Sequence, residues 1–321
     1  MVINMPYAYF ILLAFSLTFV FLDSLIKYEK KLNKGQIERE EGLRSHKSKN
    51  HTPTLGGLVF VLVIIFVYTL YIFCFEINTK NYLLIMIALL GYFLIGLIDD
   101  LLIVIKGNNN GLSSDVKFLL QIVVASIFFY YYIKYNNDTS IDIFHYKIDL
   151  KFMYGIFILL LFSGFTNATN LTDGIDGLLA GTMIIAFFIV SNLVTYKDLK
   201  TLIIISISAL LAYLYYNLPK AQIFMGDSGS LALGSIFISI AIIEKKEVIF
   251  LLVGLLYIVE AVSVILQVLY FKVTKGKRLF KMAPIHHHFE VVFGSEEKTL
   301  GLFYLLALIF GLLALLIRGI F

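Results

Sequence analysis

Tryptophan is absent from this chain, cysteine occurs once and proline four times. The lone Cys74 excludes an internal disulfide, so cysteine usage says nothing about redox compartment. Without tryptophan, an interfacial aromatic belt must come from the 20 tyrosines. Charge is also scarce. Asp, Glu, Lys and Arg make up 15% of the chain, against about 25% in soluble domains. Hydrophobic residues reach 60% and mean hydropathy is +0.89, which excludes an ordinary soluble domain and indicates a polytopic membrane protein. The net charge of +4 does not point to nucleic acid, because basic residues cluster in short loops between apolar blocks. The expected partner is the lipid bilayer, and no nucleic acid is expected. The first residues lack a basic n-region and a small-residue cleavage site, so the stretch from Tyr7 reads as a retained span.

A span needs about 20 apolar residues. That length predicts ten, near 6–26, 55–75, 81–98, 118–133, 152–166, 178–195, 201–216, 229–243, 248–271 and 299–317. No internal repeat is visible, and residues 1–321 read as one all-α integral membrane domain. With ten spans, the connections 27–54, 99–117, 167–177, 217–228 and 272–298 share one side, and they hold 17 of the 26 Lys and Arg. The positive-inside bias puts these connections in the cytoplasm and both termini outside. Between the fourth and fifth spans, an Ile/Phe/Tyr alternation suggests a small hairpin.

The polar motifs fall on the predicted cytoplasmic side. Asp99-Asp100 closes the third span in Gly96-Leu97-Ile98-Asp99-Asp100. Adjacent carboxylates at a helix C-terminus repel each other and the helix dipole, a cost that a nearby cation removes. Magnesium suits such oxygens. The longest polar run without Lys or Arg is Asn167 to Gly177, where Asn167, Asn170, Asp173 and Asp176 recur every third residue and would share a face if helical. In Phe224-Met225-Gly226-Asp227-Ser228-Gly229-Ser230, Asp227 could cap a helix whose small residues admit a phosphate to its N-terminus. Asn217 ends the preceding span. The ninth span carries Glu260, Ser263 and Gln267 on one face, suited either to interhelical bonding or to lining a groove. His286-His287-His288 diverge too much to share one metal and read better as imidazoles near a phosphate. Lys49 and Lys117 are the nearest basic residues to the acids. Together these residues suggest phosphate chemistry with Mg²⁺ at the cytoplasmic membrane face.

These motifs resemble the polyprenyl-phosphate N-acetylhexosamine-1-phosphate transferase superfamily. The superfamily parts are Gly96 to Asp100, Asn167 to Gly177 and Phe224 to Asp227. Arg39-Glu40-Glu41-Gly42, His46, Lys49, Thr52 to Gly57 and above all Pro284-Ile285-His286-His287-His288-Phe289-Glu290 resemble its phospho-N-acetylmuramoyl-pentapeptide transferase branch. The resemblance implies a ten-helix enzyme of the bacterial cell membrane, usually a homodimer. It would join UDP-MurNAc-pentapeptide to undecaprenyl phosphate with Mg²⁺, giving lipid I and UMP. It implies Asp227 and Asn170 at the metal, and Asp99 or Asp100 taking a proton from the lipid phosphate. Asp173 and Asp176 would line the nucleotide pocket with Asn217 nearby. Lys117 would face the lipid or diphosphate, Lys49 and Gln267 the substrates, and His286 to His288 the muramoyl-side phosphate. The nearest rival is a sibling transferase of GlcNAc-1-phosphate, against which the histidine heptapeptide argues. A secondary transporter would show polar groups at the bilayer midplane and inverted repeats, which the sequence lacks.

Overall fold

A computed structural model describes residues 5–32, 52–77, 79–107, 110–143 and 146–318. Lys49, with Arg39 to Gly42 and His46, lies outside the described residues. The elements in chain order are α1 (Met5–Leu32), α2 (Gly56–Cys74), α3 (Thr79–Lys106), α4 (Ser114–Asn136), β1 (Ser140–Ile143), β2 (Tyr146–Asp149), α5 (Met153–Thr172), α6 (Leu178–Val190), α7 (Lys197–Asn217), α8 (Gly226–Ile243), α9 (Glu247–Val253), α10 (Leu255–Val273), α11 (Ile285–Phe293) and α12 (Glu296–Ile317). Among the described residues, nine helices are long and apolar enough to cross a membrane. The sixth expected span forms α6, whose 13 residues rise only about 20 Å.

Three boundaries differ from expectation, each for a local reason. The apolar run Leu101 to Ile105 carries α3 past Asp99-Asp100, and the helix stops at left-handed Gly107, whose N–H bonds Ile103 O at 3.0 Å. The acid pair therefore lies within the helix rather than at its end. α5 continues to Thr172, so Asn167 and Asn170 do share its face, but the chain leaves the helix at Asp173. The three-residue series stops there, and Asp176 belongs to the following turn. The span expected over 248–271 is split at Gly254. A Cβ at 254 would stand 2.6 Å from the Phe165 ring, so the break lets α5 press against it.

α8 is the axis of the bundle. It is buried along nearly its whole length and packs on α2, α3 and α5. Small residues allow this closeness, as membrane helices require. A Cβ at Gly57 of α2 would lie 2.2 Å from Gly229 N, one at Gly96 of α3 2.2 Å from Asp227 O, and one at Gly234 2.5 Å from Thr169 Oγ1. The chain entering α2 also pairs with the chain entering α8: Phe224 N bonds Pro53 O at 2.8 Å, and Gly56 N and Gly57 N bond Phe224 O and Met225 O at 2.9 Å. The hairpin forms as expected, with Ser140 opposite Asp149 and Ile143 opposite Tyr146. It joins the C-terminal end of α4 to the start of α5. The acids lie at the other ends of those helices.

Candidate active site

Asp99 and Asp100 on α3 and Asp227 in the first turn of α8 each offer a carboxylate oxygen within 4.8 Å of the others. The glycine contact between Gly96 and the Asp227 backbone sets that spacing, because Gly96 lies one turn before the acid pair. The three carboxylates are held differently. Asp100 accepts from Asp227 N at 2.8 Å and Ser228 N at 2.9 Å, one bond to each oxygen. It thus caps α8 from a neighbouring helix, since Met225 at the N-cap position provides no side-chain bond. This corrects the expectation that the start of α8 offers its N–H groups to a phosphate: Asp100 occupies two of them. Asp99 accepts from Leu112 N at 2.8 Å through one oxygen. Asp227 accepts from Asn170 Nδ2 at 2.5 Å and, on its other oxygen, from Lys117 Nζ. Asn170 also donates to Ser230 Oγ at 2.9 Å.

Carboxylates this close repel by roughly 3 kcal/mol per pair at an effective dielectric near 20. Among the described residues, one ammonium, Lys117, stands against three carboxylates, which leaves them short of positive charge. The donors are hard oxygens on two rigid helices. Such a set fits a hard divalent cation such as Mg²⁺, and Asp227 and the side-chain oxygen of Asn170 are the groups that would hold it, with Asp99 and Asp100 beside them.

A second wall is the turn between α5 and α6. Asp173 is half-buried, and burial, reinforced by the charges of Asp100 and Asp176, raises its pKa to about 7. Asp176 and Asn217 brace the turn from inside. Asp176 accepts from Ala221 N at 2.9 Å, and its own N–H donates to Glu296 Oε1 at 2.8 Å. Asn217 accepts from Gly177 N at 3.0 Å and donates to Ile223 O at 2.9 Å. Tyr304 donates to Gly177 O at 2.9 Å. Asn167 pairs with Gln121 of α4, donating to Oε1 at 2.9 Å. Glu296, Tyr304 and Gln121 carry no motif that marks them in sequence; only the packing of α12 and α4 reveals them.

The three histidines take different partners, although the His286 and His287 rings stand only 4.1 Å apart between centroids, closer than the divergence expected from sequence. His286 Nδ1 lies 3.1 Å from Glu260 Oε2, with both side chains buried. His287 Nδ1 lies 3.1 Å from Glu290 Oε2, and His288 Nδ1 accepts from Lys281 N at 3.1 Å. His286 therefore faces the interior, whereas His287 and His288 are half-buried. Gln267 Oε1 accepts from Leu279 N at 3.1 Å and Phe280 N at 2.9 Å, ordering the loop that leads to the histidines.

Residues 82–245 match glycosyl transferase family 4. Over 312 residues, the chain is 44% identical to the phospho-N-acetylmuramoyl-pentapeptide-transferase of Staphylococcus aureus strain bovine RF122 / ET3-1, covering 95% of this chain and 97% of that protein. Identity is also 44% over 311 residues to the transferase of the same name from Staphylococcus haemolyticus strain JCSC1435, covering 94% and 96%. The chain belongs to the phospho-N-acetylmuramoyl-pentapeptide transferase family. It is a multi-pass bacterial membrane transferase, and its apolar helices agree. The family 4 match contains Asp99, Asp100, Asn170 and Asp227. The histidine heptapeptide lies beyond that match, in the region covered by the full-length relatives.

Proposed function

We propose that this enzyme transfers phospho-MurNAc-pentapeptide from UDP-MurNAc-pentapeptide to undecaprenyl phosphate, forming lipid I and releasing UMP, with Mg²⁺ as cofactor. The observation that carries this reading is the convergence of Asp99, Asp100 and Asp227 in a chain that matches the staphylococcal transferases along nearly its whole length. When bound, the ion would neutralise charge on the diphosphate and on the departing UMP. Asp227, oriented by Asn170 and Lys117, is the principal ligand. Asp99 is the better proton acceptor of its pair, because both oxygens of Asp100 already accept bonds from the start of α8. Lys117 supplies positive charge where two anionic substrates must meet. Asp173 and the braced turn behind it form the nucleotide-side wall. Purified protein should release UMP from UDP-MurNAc-pentapeptide only when undecaprenyl phosphate and Mg²⁺ are both present. Equal or faster release from UDP-GlcNAc would overturn the assignment of the sugar.

A further inference from the structure

One buried ionisable pair has no part in the chemistry above. Glu260 lies on α10 and His286 in the first turn of α11, and neither side chain is exposed. Their Nδ1···Oε2 separation is 3.1 Å. The remaining polar atoms of the pair, Glu260 Oε1 and His286 Nε2, have no hydrogen-bond partner among the described residues. The far edge of the ring rests on the backbone of the α5–α6 turn. A Cβ at Gly174 would stand 2.2 Å from His286 Nε2 and 2.6 Å from Cε1. The imidazole is thus clamped between a carboxylate on one helix and the residue that follows Asp173.

We propose that Glu260 is a positioning residue for the transferase, acting through His286 to set the α5–α6 turn without touching substrate. Burying two polar atoms unsatisfied is costly, and an apolar pair would fill the space without that cost. What imidazole adds is direction. The bond from Nδ1–H to Glu260 fixes the tautomer and stops the ring from rotating. The ring fits against Gly174 only while it keeps that plane, because its edge occupies the place of a missing Cβ. On the other side, α12 and the end of α7 hold the same turn through Glu296, Tyr304 and Asn217. The turn is therefore gripped at Gly174 by α10 and α11, and at Asp176 and Gly177 by α7 and α12. This rests on the function proposed above, in which the turn is the nucleotide-side wall.

The test uses full-length protein in detergent with Glu260→Ala, Glu260→Gln, His286→Ala, the Glu260→Ala/His286→Ala double variant and Gly174→Ala. Glu260→Ala should raise KM for UDP-MurNAc-pentapeptide about tenfold while KM for undecaprenyl phosphate stays near wild type. Glu260→Gln, whose amide oxygen can accept the same bond, should recover most of that loss. The double variant should be no worse than the weaker of its single variants. Gly174→Ala disturbs the ring from the opposite side and should raise the same KM, which keeps the test open if Glu260→Ala does not fold. UMP affinity, read by calorimetry, should fall in parallel and reports on the turn independently of turnover. An unchanged nucleotide KM in Glu260→Ala, equal losses in the Gln and Ala variants, or losses that multiply in the double variant would each overturn the proposal. A wild-type protein that binds UMP but does not release it from UDP-MurNAc-pentapeptide would instead refute the function proposed above.

Discussion

At the level of single residues, the proposed reaction divides structural and chemical work among the three acids. Asp227→Asn should leave a folded protein with UMP release reduced at least about a hundredfold at saturating Mg²⁺; near-normal turnover would remove Asp227 from the metal site. Asp100→Asn should behave differently from Asp99→Asn. An amide accepts through one oxygen only, so it leaves one of the two α8 N–H groups unpaired, at about 1–3 kcal/mol. Asp99 accepts a single backbone bond, which an amide oxygen can keep. Thermal unfolding in detergent should therefore show the larger loss for Asp100→Asn. Asp173 gives a pH signature. Its pKa is raised from 3.8 to about 7, so between those values the folded state holds a proton that the unfolded state has lost. The stabilisation is complete below pH 3.8 and is lost as pH rises towards 7. Asp173→Asn, always neutral, should match wild type near pH 4 and unfold at a higher temperature at pH 8. Equal midpoints at pH 8 would contradict the burial of that carboxyl. The acids themselves are conspicuous in sequence because charge is rare in this chain. Their partners are not: the bond from Asp100 to α8 spans more than a hundred residues, and no local pattern reports it.

At the level of elements, glycine decides where helices cross. Gly96 and Gly57 hold α3 and α2 against the first turn of α8, and neither site has room for a methyl group beside backbone atoms. Gly96→Ala should displace Asp227 from Asp99 and Asp100, lowering both the unfolding midpoint and UMP release. Gly301, exposed on α12 with nothing within 4 Å of an added Cβ, is the control. Gly301→Ala should be neutral or stabilising by up to about 1 kcal/mol, from helix propensity alone. If both variants behave alike, the α3–α8 contact does not set the geometry of the site. Helix existence and order are legible from apolar length. The misplaced ends share one cause: apolar periodicity cannot distinguish lipid-covered helix from helix that continues into the polar site. α3 keeps its apolar face beyond Asp100, and α5 keeps helical geometry through a polar stretch because Asn167 and Asn170 find partners on α4 and α8. The break at Gly254 depends on Phe165 of α5, and nothing in the ninth apolar run foretells it.

For the whole molecule, the candidate site and the hairpin lie at opposite ends of the bundle. The acids, the α5–α6 turn and the histidine helix gather at one end. The hairpin, with Tyr154, Lys245 and Glu247 bonded to one another, closes the other. The sequence expectation has the same sense, since 17 of the 26 Lys and Arg belong to connections expected to share the side of the acids. The proposed reaction draws its nucleotide from inside the cell and so predicts that the acids face the cytoplasm, the orientation that the positive-inside bias of the sequence also favours. Single cysteines can test it, because the chain offers only Cys74 to remove. In a Cys74→Ser background, Asp142→Cys on the hairpin should react with a membrane-impermeant maleimide added to intact cells. Lys220→Cys, in the exposed connection between α7 and α8, should react only after permeabilisation. Labelling of Lys220→Cys in intact cells, with Asp142→Cys protected, would invert the protein and place the acid cluster on the side without nucleotide.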